Sequence, residues 1–213
     1  MKIKAAVLHL VFALSAFVIA AETPDQIIKK IESNFNKFGI MQITFNETYL
    51  WSLTGEKNST NGVLLLKGKD KFKVTTDDQI IVSDGKNLWT YSKPSKRVVI
   101  DKLKKNDNTL LPRKIFLTYT NDYQSFLKGS EKINGKECWV IKFTDEKGDK
   151  LFPELTVWVD KEEYFPRRIE QKDLSNNTTV FTILDIKTEI ETTDRDFIFS
   201  VPEHVQVIDL RTL

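Results

Sequence analysis

Between positions 41 and 100 the chain alternates short apolar runs with residues that turn a backbone, and this spacing restricts the fold more than any other feature. Met41, Ile43, Phe45, Tyr49, Trp51 and Leu53 occupy odd positions, while Gln42, Thr44, Asn46, Thr48 and Ser52 occupy even ones. A period of two gives a strand one buried and one solvated face. A polar turn at residues 55–61 leads into Gly62-Val63-Leu64-Leu65-Leu66, and Gly68-Lys69-Asp70 turns into Phe72-Lys73-Val74-Thr75. Asp77-Asp78 precedes Ile80-Ile81-Val82; Asp84-Gly85, a strong hairpin signal, precedes Leu88-Trp89-Thr90-Tyr91; and Lys93-Pro94-Ser95 precedes Val98-Val99-Ile100. Six strands in succession with turn chemistry between them predict an antiparallel meander.

A helix should stand before the first strand. Thr23-Pro24-Asp25-Gln26 offers a cap, a proline at the first helical position and a glutamine three residues after the cap. Ile27, Ile31 and Phe35 then recur every fourth residue, widened by Ile28 and Phe38, with Gly39 as the expected stop. A second short helix is expected from about Pro112, where Leu111, Ile115 and Tyr119 share helical spacing and Phe116 and Leu117 add apolar surface. Strands resume at 138–143, 155–159, 167–170 and 179–184, and a last short one is expected from 197–199 and 205–208. The sum is an α+β chain: an antiparallel sheet of about ten or eleven strands with two helices on one face. An open sheet of that size curls, which gives an unclosed β-barrel lidded by short α-helices.

The first twenty residues stand apart. Lys2 and Lys4 precede an almost unbroken apolar run that ends in Val18-Ile19-Ala20-Ala21, as in a secretory signal peptide cut after Ala20 or Ala21. The run is shorter than the ~20 residues that span a bilayer. The remaining 193 residues read as a single domain, 21–213, with 30 basic and 30 acidic side chains. That balance argues against a nucleic-acid binder. Cys138 has no second cysteine to pair with, so an exported chain of this size must rely on its core.

Catalytic and metal-binding chemistry is sparse. Beyond the leader there is one histidine, His204, in a turn before a strand, and no nucleophile elbow or phosphate-cradling glycine loop. Asp77-Asp78 lacks the rest of a cation loop. No enzyme activity, cofactor or metal is expected. Fourteen phenylalanines, five tyrosines and four tryptophans instead favour a binding protein, in which a curled sheet facing a helix leaves room for a ligand.

The stretch Ile81-Val82-Ser83-Asp84-Gly85-Lys86-Asn87-Leu88-Trp89-Thr90-Tyr91 resembles the I-V-S-D-G-K-x-L-W-x-Y hairpin of the LolA family of outer-membrane lipoprotein carriers. Phe45-Asn46-Glu47-Thr48 is similar to the family's F-x-Q-T, and residues 62–73 to its G-x-L-x-x-K-R-P-x-x-F. Asn108-Thr109 precedes the second helix, and residues 197–209 are similar to F-x-F-x-P…V-x-V-x-D. The motifs are loose one by one; their order along the whole mature chain is specific. The resemblance implies an unclosed barrel in the periplasm. It would shelter the acyl chains of lipoproteins between an inner-membrane ABC-type exporter and an outer-membrane receptor.

By position, the resemblance makes Phe72 the aromatic at the cavity rim, and Ile115 and Phe116 apolar residues of the lid helix. Alternation adds Phe45, Trp51, Leu65 and Trp89 from the sheet, and helical spacing adds Leu111. The family's K-R-P arginine holds its lid shut. Here the stretch reads Lys67-Gly68-Lys69, so Lys67 or Lys69 replaces that latch or the lid is more open. A monomer is expected. The alternative readings are a lipid-binding sensor or regulatory module, or a carrier of another lipid such as a glycolipid.

Overall fold

The computed structural model describes residues 22–103 and 123–212. Helix α1 (Pro24–Lys37) begins with reciprocal caps. Gln26 N–H donates to Thr23 Oγ1 at 3.3 Å, and Thr23 N–H donates to Gln26 Oε1 at 2.9 Å. Its apolar stripe buries Ile27, Ile28, Ile31 and Phe35. Gly39 is not the left-handed stop that the sequence suggests. Phe38 caps the helix in extended conformation, its N–H reaching Asn34 O at 3.0 Å, and the chain runs directly into a strand.

Twelve strands follow among the described residues: β1 (Ile40–Leu50), β2 (Lys57–Lys67), β3 (Lys71–Thr76), β4 (Gln79–Asp84), β5 (Asn87–Ser92), β6 (Arg97–Lys102), β7 (Gln124–Ile133), β8 (Lys136–Thr144), β9 (Glu154–Asp160), β10 (Pro166–Lys172), β11 (Thr178–Lys187) and β12 (Gln206–Asp209). They form one sheet in the order β12-β6-β5-β4-β3-β2-β1-β11-β10-β9-β8-β7. Every neighbouring pair is antiparallel except β12 with β6, which is parallel.

The strand missing from the sequence reading is β7. It is an edge strand exposed almost throughout, and a bulge between Leu127 and Gly129 interrupts what alternation it has. The residues read as a polar turn after β1 are largely the first half of β2, which projects with both faces wet. The 197–199 segment is not a strand either; a 3₁₀ turn (Asp194–Phe197) ends on its first residue and irregular chain follows. The helix expected from Pro112 lies outside the described residues.

The sheet curls around its core without closing. Leu103 follows β6 and Tyr123 precedes β7, so they belong to opposite ends of the strand order. Both nevertheless join one hydrophobic cluster, together with α1 and residues of β1, β2, β8, β9 and β10. That face is therefore the concave one.

Register assigns each residue to a face, because directly paired residues point the same way. Met41, Leu66, Phe72 and Ser83 form one transverse row on the concave face, and Ile43, Leu64, Val74 and Ile81 form the next. The opposite face carries a second cluster of Val82, Trp89, Val98 and Ile100, covered by Phe199 and Val205. This cover is the C-terminal segment, which leaves β11, crosses the convex side and ends as β12 beside β6. Phe197 is fully buried along it. Asp194 fixes it to the sheet, with Lys67 Nζ at 2.7 Å and Lys71 Nζ at 2.9 Å.

Candidate functional site

Helix α1 lies over the β7–β10 half of the concave face. Phe35 and Phe38 pack on Phe165, with ring centroids 5.9 and 6.0 Å apart, and Asn34 Nδ2 donates to Glu163 O at 2.6 Å. At its other end Asp25 Oδ1 accepts from Ser125 Oγ at 3.5 Å. Glu22 is held by Lys30, and the Tyr164 hydroxyl donates to its carboxylate at 2.9 Å. Below the end of the helix a cleft of about 500 Å³ opens, walled by Phe38, Phe165 and Ile186 and rimmed by Glu163, Arg167 and Asp185. Arg167 is engaged there with Asp160 at 3.0 Å and with Glu163.

On the other half of the concave face, apolar side chains are only half-buried. Val74, Ile81 and Leu88 form a strip across β3, β4 and β5, and Phe181 stands on β11. Phe45 lies beside Phe181, ring centroids 6.1 Å apart and edge to face. Its ring covers Gly62, where an added Cβ would sit 2.3 Å from Phe45 Cζ. Gly62 is thus an absent side chain that lets an aromatic ring lie flat on the sheet. Glu47 follows Phe45 on the same face, paired across the ladder with Phe181 on one side and Thr60 on the other.

This geometry sorts the residues expected from the sequence. Phe45 and Phe72 are on the concave face, 7% and 4% exposed. Leu65 is on the opposite face, paired with Gln42 and Lys73. Trp89 belongs to the cluster beneath the C-terminal segment. Alternation fixed the two sides of these strands but could not tell which was inside, because both carry apolar side chains there. Trp51 stands beyond the end of β1 in the turn, 38% exposed and 4.4 Å from the Tyr49 ring. Leu111, Ile115 and Phe116 lie outside the described residues.

Sequence reasoning passed over Val74, Ile81, Leu88, Phe181 and Glu47. For Glu47 a signal existed: a carboxylate at an odd position of an otherwise apolar odd register. Of the two candidates for the latch, Lys67 points to the convex side and binds Asp194, while Lys69 is an exposed turn residue. Gly68 has a left-handed φ of 62° in that turn, and its N–H donates to Gly39 O at 2.7 Å.

Electrostatic perturbation is concentrated away from the half-buried strip. Asp194 is held at a pKa of about 2 by Lys67 and Lys71. Burial pushes Asp160 up, but N–H groups of Glu162 and Glu163 and the Arg167 guanidinium outweigh it and hold the carboxyl below its ordinary value. Glu47 goes the other way, raised by burial alone. Among the described residues no group of three His, Cys, Asp or Glu side chains is placed to hold a metal, and His204 is an exposed turn residue.

The family model described as outer membrane lipoprotein carrier protein LolA matches residues 36–200. An outer-membrane lipoprotein carrier protein of Francisella tularensis is 25% identical over 215 residues, covering 97% of each chain. Its counterpart from Francisella philomiragia is 25% identical over 196 residues, 89% of each chain. In fold, the chain is similar to an uncharacterized conserved protein of Thermus thermophilus, with a TM-score of 0.59 at 13% identity over 86% of this chain and 97% of that one. At such identity this last likeness concerns the fold alone. The family match runs from the end of α1 through β1 to β11 and into the C-terminal segment on the convex face, well over half of the sequence, and this chain belongs to the LolA family of outer membrane lipoprotein carrier proteins.

Proposed function

We propose that this protein is a periplasmic carrier that shelters lipoprotein acyl chains against its concave face, receiving them from an inner-membrane ABC-type exporter and delivering them to an outer-membrane receptor. The observation that carries this reading is the half-buried apolar strip of Val74, Ile81 and Leu88, with Phe181 further along the same face on β11, all packed against the core but only partly covered. Apolar surface of that kind inside a concave sheet suits an aliphatic ligand better than water. No bond is made or broken in this role. Family membership supports the same reading, as does the leader-like segment at 1–20, which would send the chain across the inner membrane. Glu22, just past the expected cleavage point, is fastened by Lys30 and Tyr164, so the mature N-terminus would be anchored.

Magnitudes limit how the ligand is held. Burying one methylene is worth about 0.8 kcal/mol, so a fully engulfed sixteen-carbon chain would gain roughly 13 kcal/mol. Such a ligand would leave too slowly for a carrier. A concave face that touches a chain on one side captures a fraction of that gain and can yield it to a more enclosing receptor.

The test is binding of a fluorescent acylated lipopeptide beside its unacylated peptide. Wild type should bind the acylated form alone. Ile81→Glu and Phe181→Glu should weaken binding by about tenfold or more, since a carboxylate would be buried against the chain. Val63→Glu, on the convex face, should not. Equal binding of both peptides, or indifference to the concave-face substitutions in proteins that remain folded, would overturn the reading.

A further inference from the structure

Glu47 is the unexplained group on the concave face. Along β1, β2, β3 and β11 the other inward positions are apolar or uncharged: Met41, Ile43, Phe45 and Tyr49 on its own strand, for example, and Thr60 and Phe181 directly across. Its transverse row continues from Phe181 to Ile169, Val157 and Ile141, all members of the hydrophobic cluster. Among the described residues no hydrogen bond or ion pair engages its carboxylate, and burial is what perturbs it. A carboxylate in such a place lowers stability unless something else meets it. The neighbouring acid Asp173 shows the contrast. It is met by the N–H groups of Ser175 and Asn177 and by the Asn177 amide.

Position adds a second constraint. Glu47 lies where the concave face changes character. On one side Phe45 and the rows beyond it on β1 and β2 are apolar; on the other, Tyr49, Asn58, Thr179 and Gln171 are polar. A chain lying along the apolar side would bring its polar root to this boundary. We infer that Glu47 receives the polar end of the bound lipid, and that the lipid taken carries an ammonium group at the root of its acyl chains. A carboxylate or phosphate at that point would be repelled, and a neutral root would leave Glu47 unmet. The inference rests on the acyl-sheltering reading of the same face and adds a head-group preference to it. A lipopeptide with a free N-terminal amine supplies this chemistry at the root itself, whereas an ethanolamine phospholipid supplies its ammonium two carbons beyond a phosphate.

The test compares two diacylated lipopeptides that differ only in the N-terminal amine, free or acetylated, on wild type, Glu47→Gln and Glu47→Leu. Short-chain phosphatidylethanolamine and phosphatidylglycerol form a second pair. Wild type should bind the free amine about tenfold more tightly, the size of a half-buried charge pair, and both variants should bring the two within about twofold. The same ratio in all three proteins, or none in wild type, overturns the inference while leaving acyl sheltering intact. Binding of no lipopeptide and no phospholipid overturns both. A Glu47-dependent preference confined to the phospholipid pair upholds the ammonium chemistry and assigns its source to a membrane lipid, against the lipoprotein reading. Glu47→Leu serves as the folding control, since it extends the apolar surface and should still bind uncharged alkyl probes.

Discussion

Phe45 and Gly62 show how closely single residues define the concave face. Gly62 does not need a left-handed backbone, so replacing it by alanine would ordinarily gain about 0.4–1 kcal/mol from the unfolded chain. Here the new Cβ would stand 2.3 Å from the Phe45 ring, and overpacking of that kind costs about 1–3 kcal/mol. Size outweighs entropy, so Gly62→Ala should lower the urea midpoint with an unchanged m-value.

Asp160 is a second fixed point, 1% exposed and bonded to Arg167 and to two backbone N–H groups. Asp160→Ala would leave Arg167 with Glu163 as its remaining carboxylate partner and the Glu162 and Glu163 N–H groups without their acceptor, and should cost roughly 3 kcal/mol. Glu47 should behave in the opposite sense. Its folded pKa is raised, so the folded state binds its proton more readily than the unfolded chain, and the charged form destabilises at neutral pH. Glu47→Gln should therefore be more stable than wild type near pH 7. The gain should vanish as the pH falls through the ordinary carboxylate range, where both states of wild type become protonated. Phe45 was legible because its strand alternates cleanly; Glu47 was passed over because one polar residue in an apolar register looks like noise until cross-strand partners show which way it points.

Elements were legible where one face is wet and one is dry. α1 and β1 satisfy that condition, and the sequence located both within a few residues. β4 and β5 were located too, but not which of their faces is inside, because Ile80, Ile81 and Val82 are apolar in succession and both sides carry apolar side chains, one under the C-terminal segment and one half-open. The cover on the convex side comes from residues more than a hundred positions away, which no local pattern reveals. β7 failed for the opposite reason, being an edge with too little buried side chain to leave a period.

The C-terminal segment is thus an element whose role emerges only in the fold. Phe197→Ala should destabilise the protein by about 3–5 kcal/mol. It should also shift emission from Trp89 to longer wavelength as the convex cover loosens. Acid should act at the same place. Asp194 has its pKa lowered from 3.8 to about 2 by its lysine partners, so its contribution is complete above 3.8 and lost as the pH falls toward 2. Hydrogen exchange in β12 and its partner β6 should accelerate across that interval, and Asp194→Asn should remove the acid-dependent part of the change.

At the scale of the whole molecule, a long meander with few breaks forces a large antiparallel sheet, and a sheet of twelve strands cannot stay flat. That much follows from turn spacing alone. Which side becomes the inside depends on where α1 and the C-terminal segment settle, and that choice leaves Val74, Ile81, Leu88 and Phe181 half-covered. An acyl chain should lie on this side and not on the other. Site-specific photocrosslinking tests this most directly, with a benzophenone amino acid placed at Ile81 or Leu88 on the concave face, or at Leu65 or Val63 on the convex one, in protein loaded with an acylated lipoprotein. Crosslinks from Ile81 and Leu88, with none from Leu65 and Val63, are the predicted result; equal labelling from both faces, or labelling from the convex face alone, would contradict it.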